Sequence, residues 1–230
     1  MSSKIIIVTG SAGNLGQAVV KKFIGEDYHV VGTVRNLKEP ENKNNINLEK
    51  VKLDLMNEGD CQKFVDGVVE KFGTIDVAVL TAGGFSSGNL LSTNTSDIAK
   101  QYQLNFETAY NIARPVFTQM MKQNKGRIFL IGSQAGLNTS NAKAAIGYGL
   151  SKSLIFRLAE VMNAEAKKKN VVVSVIVPGI IDTPSNRESM PEADFNNWVT
   201  VSQIADVIYF YSSDEGSVIR EPVIKVYNNA

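Results

Sequence analysis

Tyr148 and Lys152 lie four positions apart, the spacing that places two side chains on one face of a helix. A free tyrosine titrates near pH ~10, so by itself it is a poor proton donor at neutral pH. A neighbouring ammonium stabilises the phenolate, so we expect Lys152 to lower the pKa of Tyr148. The pair predicts general acid–base chemistry, although the same spacing also occurs on ordinary solvated helix faces.

A second chemical signal is a glycine-rich turn near the start of the chain. The β-branched apolar run 4–9 predicts a buried strand, and residues 17–23 predict a helix. Between them, Gly10 allows a tight turn, Gly13 lets the backbone approach a pyrophosphate, and Gly16 permits close helix–strand packing. The N–H groups and dipole at the helix N-terminus favour phosphate. This order predicts a dinucleotide-binding loop built from Gly10, Ser11, Ala12, Gly13, Asn14, Leu15 and Gly16.

Composition restricts the classes of function. A formal net charge of +1 argues against an electrostatic nucleic-acid surface, and no apolar run approaches the ~18 residues of a membrane span. A lone histidine, His29, and a lone cysteine, Cys61, cannot form the usual zinc sites, a Ser-His-Asp triad or a Cys-His pair. We therefore expect no metal, and chemistry that uses Tyr, Lys, Ser, Asn, carboxylates or a cofactor.

Cysteine content and the position of the first strand bear on the compartment. With Cys61 alone there is no intrachain disulfide, and a reducing cytoplasm is the expected setting. The first strand is predicted to begin at about Lys4, so we expect no signal peptide.

Strand and helix patterns alternate along the whole chain, which predicts a parallel sheet with helices on both faces. We expect about seven strands in one doubly wound α/β domain spanning residues 1–230. Long loops are predicted at 36–48 and 184–200, and the second follows a strand's carboxyl end, where substrates of such sheets bind. The predicted strands are 4–9, 30–34, 50–53, 75–80, 127–131, 171–177 and 222–227, and the predicted helices are 17–23, 61–72, 96–122 (capped near Ser96, kinked at Pro115), 147–169 and 201–212.

The end of the second predicted strand bears on the choice of cofactor. NAD-specific sites place a carboxylate there to accept the ribose hydroxyls, but this chain has Val34 followed by Arg35. A guanidinium binds a 2′-phosphate through charge-assisted hydrogen bonds. We therefore expect NADP(H) to be favoured over NAD(H), with a solvated loop arginine as the alternative reading of Arg35.

Taken in order, these residues resemble the short-chain dehydrogenase/reductase family over essentially the full chain. The resemblance implies a Rossmann-type fold, with Tyr148 and Lys152 as the catalytic pair and as contacts of the cofactor. It implies that Ser133 orients the substrate and that Asn105 supports Lys152 through water. Further cofactor contacts are implied for Asp54, Leu55, Ala82, Gly83, Gly84, Pro178, Gly179, Ile181 and Thr183; a helix cap is the alternative role for Asp54.

Two features depart from the family pattern. The glycines follow G-x-x-G-x-x-G, with Asn14 where many members have glycine, which changes the geometry of the loop. Ser133 also precedes Tyr148 by fifteen positions, a longer interval than usual. We therefore expect residues 134–146 to bulge outward if Ser133 is to reach the site.

Within the family, the segment 182–198 and the run Ala82 to Phe85 resemble quinoid dihydropteridine reductases. Those enzymes usually keep an aspartate where Arg35 stands, prefer NADH, and lack the serine that Ser133 resembles. The resemblance therefore marks a branch more securely than a substrate. Four residues near these segments are candidates for the walls of a substrate pocket or for simple packing: Phe85, Met190, Phe195 and Trp198.

The expected reaction is hydride transfer from NADPH to a carbonyl or imine of a small molecule, with Tyr148 as proton donor. A quinoid dihydropteridine reductase is the first alternative. A non-catalytic NADP(H)-binding regulator and an assembly subunit are others, and the Ser-Tyr-Lys-Asn set argues against both. Two long apolar helices, at 96–122 and 147–169, predict a homodimer or homotetramer, and neither nucleic acid nor membrane is expected as a partner.

Overall fold

A computed structural model describes residues 3–36 and 46–229. Its centre is a seven-stranded parallel sheet built from β-branched runs that are buried on both faces. Its strands are β1 (Ile5–Thr9), β2 (His29–Val34), β3 (Leu48–Lys52), β4 (Val77–Leu80), β5 (Lys125–Ile131), β6 (Asn170–Pro178) and β9 (Val223–Val226). They lie in the order β3-β2-β1-β4-β5-β6-β9 across the sheet. All seven predicted strands are confirmed, with ends displaced by up to two residues.

Helices cover both faces of the sheet. On one face, α1 (Asn14–Gly25) and α9 (Val201–Ser212) pack over a core around Phe23, Val30 and Ile204. On the other, α2 (Glu58–Phe72), α4 (Thr108–Gln123) and α7 (Ile146–Glu165) cover a larger core around Ile7 and Ile112. The predicted doubly wound α/β architecture is therefore confirmed. No helix of the described residues is long and apolar enough to cross a bilayer.

The long helix predicted at 96–122 is interrupted. It comprises α3 (Thr95–Tyr102), a π-helical segment (Gln103–Glu107) and α4. Asn94, rather than Ser96, caps it through a capping box with Asp97. The predicted irregularity was assigned to Pro115, but Pro115 lies inside α4 and the irregular turn precedes that helix. Residue composition does not predict a π-helical turn. Such turns are frequent at functional sites.

Two other segments differ from prediction. Helix α7 ends at Glu165, before 169, and the turn that follows places Lys168 at φ +78°. The predicted loop 184–200 contains α8 (Pro184–Ser189), a 3-10 turn (Phe195–Asn197) and a short strand. That strand, β8 (Val199–Thr200), pairs with β7 (Ile181–Asp182) and so closes the segment onto its own beginning. Of the predicted loop 36–48, residues 37–45 lie outside the described residues.

The sheet order places a crevice beside β1. The chain passes from β1 outward to β3 and then returns to β4 on the other side of β1. The connection that follows β1 therefore runs in one direction along the sheet, and the connection that follows its neighbour β4 runs in the opposite direction. Ligands of open α/β sheets bind at such a switch point, outside the carboxyl ends of the strands.

Candidate active site

The glycine turn after β1 has the geometry that its sequence predicts. Gly10 has φ +62°, a left-handed conformation that disfavours side chains, and its carbonyl accepts a hydrogen bond from the Gly13 N–H at 2.9 Å. A Cβ on Gly16 would lie 2.2 Å from the Gly10 carbonyl oxygen, so helix and turn are in direct backbone contact. The turn leads directly into the N-terminus of α1, which begins at Asn14. The residues present therefore fit a dinucleotide phosphate.

A cleft of about 540 Å³ runs from this turn across the carboxyl edge of the sheet. Eleven residues predicted to contact the cofactor line it: Gly10, Ala12, Gly13, Asn14, Leu15, Gly16, Arg35, Asp54, Leu55, Ala82 and Gly83. Ser11 does not, because its buried hydroxyl donates to the Thr33 carbonyl at 3.1 Å. The prediction missed Thr33, Val34, Asn36, Leu53, Met56, Thr81, Leu104 and Thr108. Most of these residues lie at or just after the ends of strands, so the predicted strand ends could have identified them as cleft residues.

One side of the cleft is formed by residues at and just after the carboxyl ends of β2 and β3. Arg35 is exposed and lines the cleft directly after β2. Asp54 accepts a hydrogen bond from the Met56 N–H at 3.0 Å, so it shapes the turn after β3 and does not cap α2, which Asn57 does. The Asn111 side chain donates to the Leu55 carbonyl at 2.9 Å and fixes the position of this wall.

Ser133, Tyr148 and Lys152 are brought together beside this cleft. Ser133 follows β5, and residues 134–142 form two short helices, α5 (Gln134–Leu137) and α6 (Thr139–Ala142). These helices take up the long interval before Tyr148, and α5 packs against α7, since a Cβ on Gly136 would lie 2.8 Å from the Lys152 carbonyl carbon. The Ser133 Oγ accepts a hydrogen bond from the Gly136 N–H at 3.3 Å and lies near enough to the Tyr148 phenol to lower its pKa. Lys152 extends beneath the phenol, with its Nζ 5.8 Å from the ring centroid.

The electrostatics of this group differ from the expectation. Burial raises the pKa of Tyr148, and only the hydrogen bond with Ser133 lowers it. Burial also lowers the pKa of Lys152 to about 8, and its Nζ donates to the Ile131 carbonyl at 2.7 Å. In the polypeptide by itself, desolvation therefore determines the direction of both pKa shifts. The predicted lowering of the tyrosine pKa by Lys152 does not appear.

The side chain of Asn105 has partners that the sequence did not indicate. It lies in the π-helical segment, and its Oδ1 accepts from the Gly84 N–H while its Nδ2 donates to the Gly84 carbonyl, both at 3.0 Å. The same Nδ2 lies 3.1 Å from the Gln101 Oε1. A Cβ on Gly83 would lie 2.7 Å from the Asn105 Oδ1 and 3.6 Å from the Lys152 Nζ. The amide therefore fixes the segment after β4, close to Lys152.

The segment after β6 contains four further residues that were predicted to contact the cofactor. Pro178 ends β6, Gly179 donates to the Val226 carbonyl at 2.9 Å, and Thr183 caps α8 through the Asn186 N–H at 3.2 Å. Ile181 lies in the short strand β7. The cleft next to the glycine turn is not lined by Pro178, Gly179, Ile181 or Thr183, nor by Gly84, Tyr148 or Lys152.

Of the four candidate pocket-wall residues, Met190 directly follows α8 and is half-buried, and the other three take part in ring contacts. Trp198 is buried and packs against Phe195, with ring centroids 4.7 Å apart. Phe195 in turn lies under the guanidinium of Arg187, at 4.6 Å. These two rings are explained by packing within the segment. Phe85 is exposed and lies against the ring of Tyr148.

Sheet order, glycine turn and the Ser-Tyr-Lys group together define a dinucleotide-dependent oxidoreductase. The family model described as short chain dehydrogenase matches residues 4–194, and the chain belongs to that family. It is thus an oxidoreductase that uses a nicotinamide cofactor.

Individual relatives are distant but extend over nearly the whole chain. A 3-oxoacyl-(acyl-carrier-protein) reductase from Thermotoga maritima is 26% identical over 98% of this chain and 97% of its own length. A dihydropteridine reductase from Dictyostelium discoideum is 26% identical over 94% of this chain and 90% of its own. The solved structure of ElxO with NADP bound matches with a TM-score of 0.89 at 25% identity, covering 98% and 97%.

Proposed function

We propose that the protein reduces a carbonyl or imine of a small molecule with NADPH, with Tyr148 as the proton donor. The observation that carries this proposal is the convergence of Ser133, Tyr148 and Lys152 beside the cleft of the glycine turn. A bound NADPH would supply the hydride. The residues of this chain would supply the proton, the orientation and the electrostatic support.

Each group has a defined task in this proposal. Ser133 holds the substrate heteroatom together with the Tyr148 hydroxyl, near which its own hydroxyl lies. Because burial keeps the phenol protonated at neutral pH, Tyr148 enters the reaction with its proton in place. Lys152, buried below the ring, provides positive charge where the phenolate develops. Asn105 positions the segment after β4 and thereby this side of the site.

The preference for NADP(H) rests on Arg35. Its side chain lines the cleft at the end of β2, where an NAD-specific enzyme would place an acid. The structural relative ElxO has NADP bound. We propose that Arg35 pairs with the 2′-phosphate, as a guanidinium forms strong charge-assisted hydrogen bonds with phosphate.

A dihydropteridine reductase activity is the second candidate. The Dictyostelium relative supports it, and Phe85 next to Tyr148 offers an aromatic wall to a flat ring. Arg35 and Ser133 weigh against it, because the sequences that this branch resembles usually carry an aspartate and no serine at these positions. A binding-only regulator is less compatible with the grouping of Ser133, Tyr148 and Lys152.

Other predictions remain proposals. We infer that residues 1–230 form one dinucleotide-binding domain in which 184–200 faces the substrate, that the setting is cytoplasmic, and that the chain forms homodimers or homotetramers. Exposed apolar residues on α7, namely Leu150, Leu154 and Val161, support the last of these.

The deciding experiment is a panel of ketones, aldehydes, cyclic imines and quinonoid pterins, tested with NADPH and with NADH. Oxidation of the cofactor is followed by its absorbance. We expect a ketone, aldehyde or imine to be reduced with NADPH and more slowly with NADH. Turnover of quinonoid pterins alone would favour the second candidate, and no turnover despite tight NADPH binding would favour the regulator.

A further inference from the structure

Phe85 combines high exposure with contact to the proposed proton donor. Its side chain is 69% exposed, so burial in the core does not explain its presence. Its ring nevertheless lies edge-on to the ring of Tyr148, with centroids 5.1 Å apart and planes at 73°. A large apolar group that is open to solvent on one side and touches Tyr148 on the other is placed as a wall of the substrate space.

The backbone on both sides of Phe85 is anchored. On one side the Asn105 amide bonds both the N–H and the carbonyl of Gly84. On the other, Gly88 forms a bridge with the chain that enters α7. Its N–H donates to the Ala144 carbonyl at 2.8 Å, and its carbonyl accepts from the Ile146 N–H at 2.9 Å. Since α7 carries Tyr148, the two rings are held in one framework.

The anchoring determines which part of a substrate Phe85 would meet. A substrate whose heteroatom reaches the hydroxyls of Tyr148 and Ser133 must extend its adjoining group past the Phe85 ring. Aromatic rings attract other flat π systems in offset-stacked or edge-to-face geometries, beyond what buried area alone provides. A saturated ring of the same size gains only the free energy of burying its apolar surface.

We propose that Phe85 is a specificity-determining residue that favours substrates whose carbonyl or imine is attached directly to a flat, unsaturated ring. This proposal rests on the proposed reductase function of the same site. It narrows that function to a substrate class, and it assigns Phe85 no part in moving a proton or hydride.

The test compares acetophenone with cyclohexyl methyl ketone, which have equal carbon counts and differ in whether the ring is flat. The ratio of their kcat/KM values with NADPH is measured for the parent, Phe85→Leu, Phe85→Trp and Leu91→Ala. The leucine variant keeps an apolar side chain without the π face. Leu91 is the matched control, because it is exposed and lies in the same connection between β4 and α3.

We expect the parent to prefer acetophenone, and Phe85→Leu to reduce that preference roughly threefold to tenfold. Phe85→Trp and Leu91→Ala should retain it, and all four proteins should bind NADPH equally. An equal preference in the parent and Phe85→Leu, or an equal loss in Leu91→Ala, overturns the proposal.

Measurements of ketone binding distinguish a failure of this proposal from a failure of the proposed function. The enzyme–NADP⁺ complex cannot reduce a ketone, so both ketones are titrated into it by calorimetry. If neither ketone is turned over, yet acetophenone binds more tightly and only in proteins with an aromatic residue at 85, the proposed reductase function fails and the assignment of Phe85 stands. Equal binding of the two ketones, or no measurable binding of either, contradicts the assignment.

Discussion

The side chain of Asn105 holds Gly84 by both of its backbone polar groups, through hydrogen bonds of 3.0 Å to the N–H and to the carbonyl. Asn105 is almost fully buried, so neither bond is readily replaced by water. The arrangement connects the π-helical segment to the chain after β4. A residue that the family resemblance links to Lys152 thus also fixes the segment that carries Phe85 against Tyr148.

Replacing Asn105 should separate turnover from cofactor binding. Asn105→Ala leaves the Gly84 N–H and carbonyl without their side-chain partner, which should cost about 1–3 kcal/mol of unfolding free energy. Asn111→Ala is the matched comparison, because Asn111 is also buried and bonds the Leu55 carbonyl on the cofactor side. We expect Asn105→Ala to lower kcat at nearly constant NADPH affinity, and Asn111→Ala chiefly to weaken NADPH binding. Identical kinetic profiles for the two variants would disprove this division of roles.

Two glycines of α1 should respond in opposite ways to alanine. A Cβ on Gly16 would lie 2.2 Å from the Gly10 carbonyl oxygen, whereas a Cβ on Gly25 meets nothing within 4 Å. Gly16→Ala should destabilise the fold by about 1–3 kcal/mol and weaken NADPH binding, because helix and turn must move apart. Gly25→Ala should be neutral or slightly stabilising. Urea unfolding measures the change in stability, and fluorescence titration measures the change in NADPH affinity. Parental stability and affinity in Gly16→Ala would contradict the backbone contact.

Arg35 should control the preference between the two cofactors. Losing a charged hydrogen bond costs about 1.5–3 kcal/mol, which corresponds to roughly 10-fold to 100-fold in affinity. Arg35→Ala should therefore weaken NADPH binding by that factor and leave NADH binding nearly unchanged. Lys63→Ala removes an equal charge from an exposed position of α2 and should change neither. Parent protein that binds NADH as tightly as NADPH would refute the assignment.

Burial of Lys152 should give a distinct dependence of stability on pH. Its pKa falls to about 8 from an ordinary 10.5, a shift that corresponds to about 3 kcal/mol. Between these two values the unfolded chain keeps a proton that the native protein has released, so native stability rises with pH in this window. Lys152→Met has no such proton, although it leaves the Ile131 carbonyl unpaired.

The measurement compares the two proteins in urea at pH 7 and near pH 10. The stability of the parent should rise relative to that of Lys152→Met as the pH increases, because only the parent gains from deprotonation. The comparison cancels residues that titrate equally in both proteins. If the stability difference between the parent and Lys152→Met stays constant or decreases as the pH increases, Lys152 is not buried as an ammonium at pH 7.

The parts of the site that depend on local sequence pattern could be predicted from the sequence. The β-branched runs and the glycine spacing identified the strands and the turn after β1, and strand ends indicated the edge at which residues such as Arg35 would gather. The partners of Asn105 could not be predicted, since the Gly84 contact joins residues 21 positions apart through a π-helical turn. The direction of the Tyr148 pKa was also mispredicted. Spacing indicates which charges are neighbours, but only the fold determines how much water they lose.

The central claim is that Tyr148 donates the proton, and Tyr148→Phe tests it most directly. The substitution removes the hydroxyl and keeps the ring that packs against Phe85. On the best substrate of the panel, we predict that kcat falls by ~10²–10⁴, the usual contribution of a general acid, while the Kd for NADPH is almost unchanged. Tyr110→Phe, at a partly exposed position of α4, should keep parental turnover. Parental turnover in Tyr148→Phe would contradict the account.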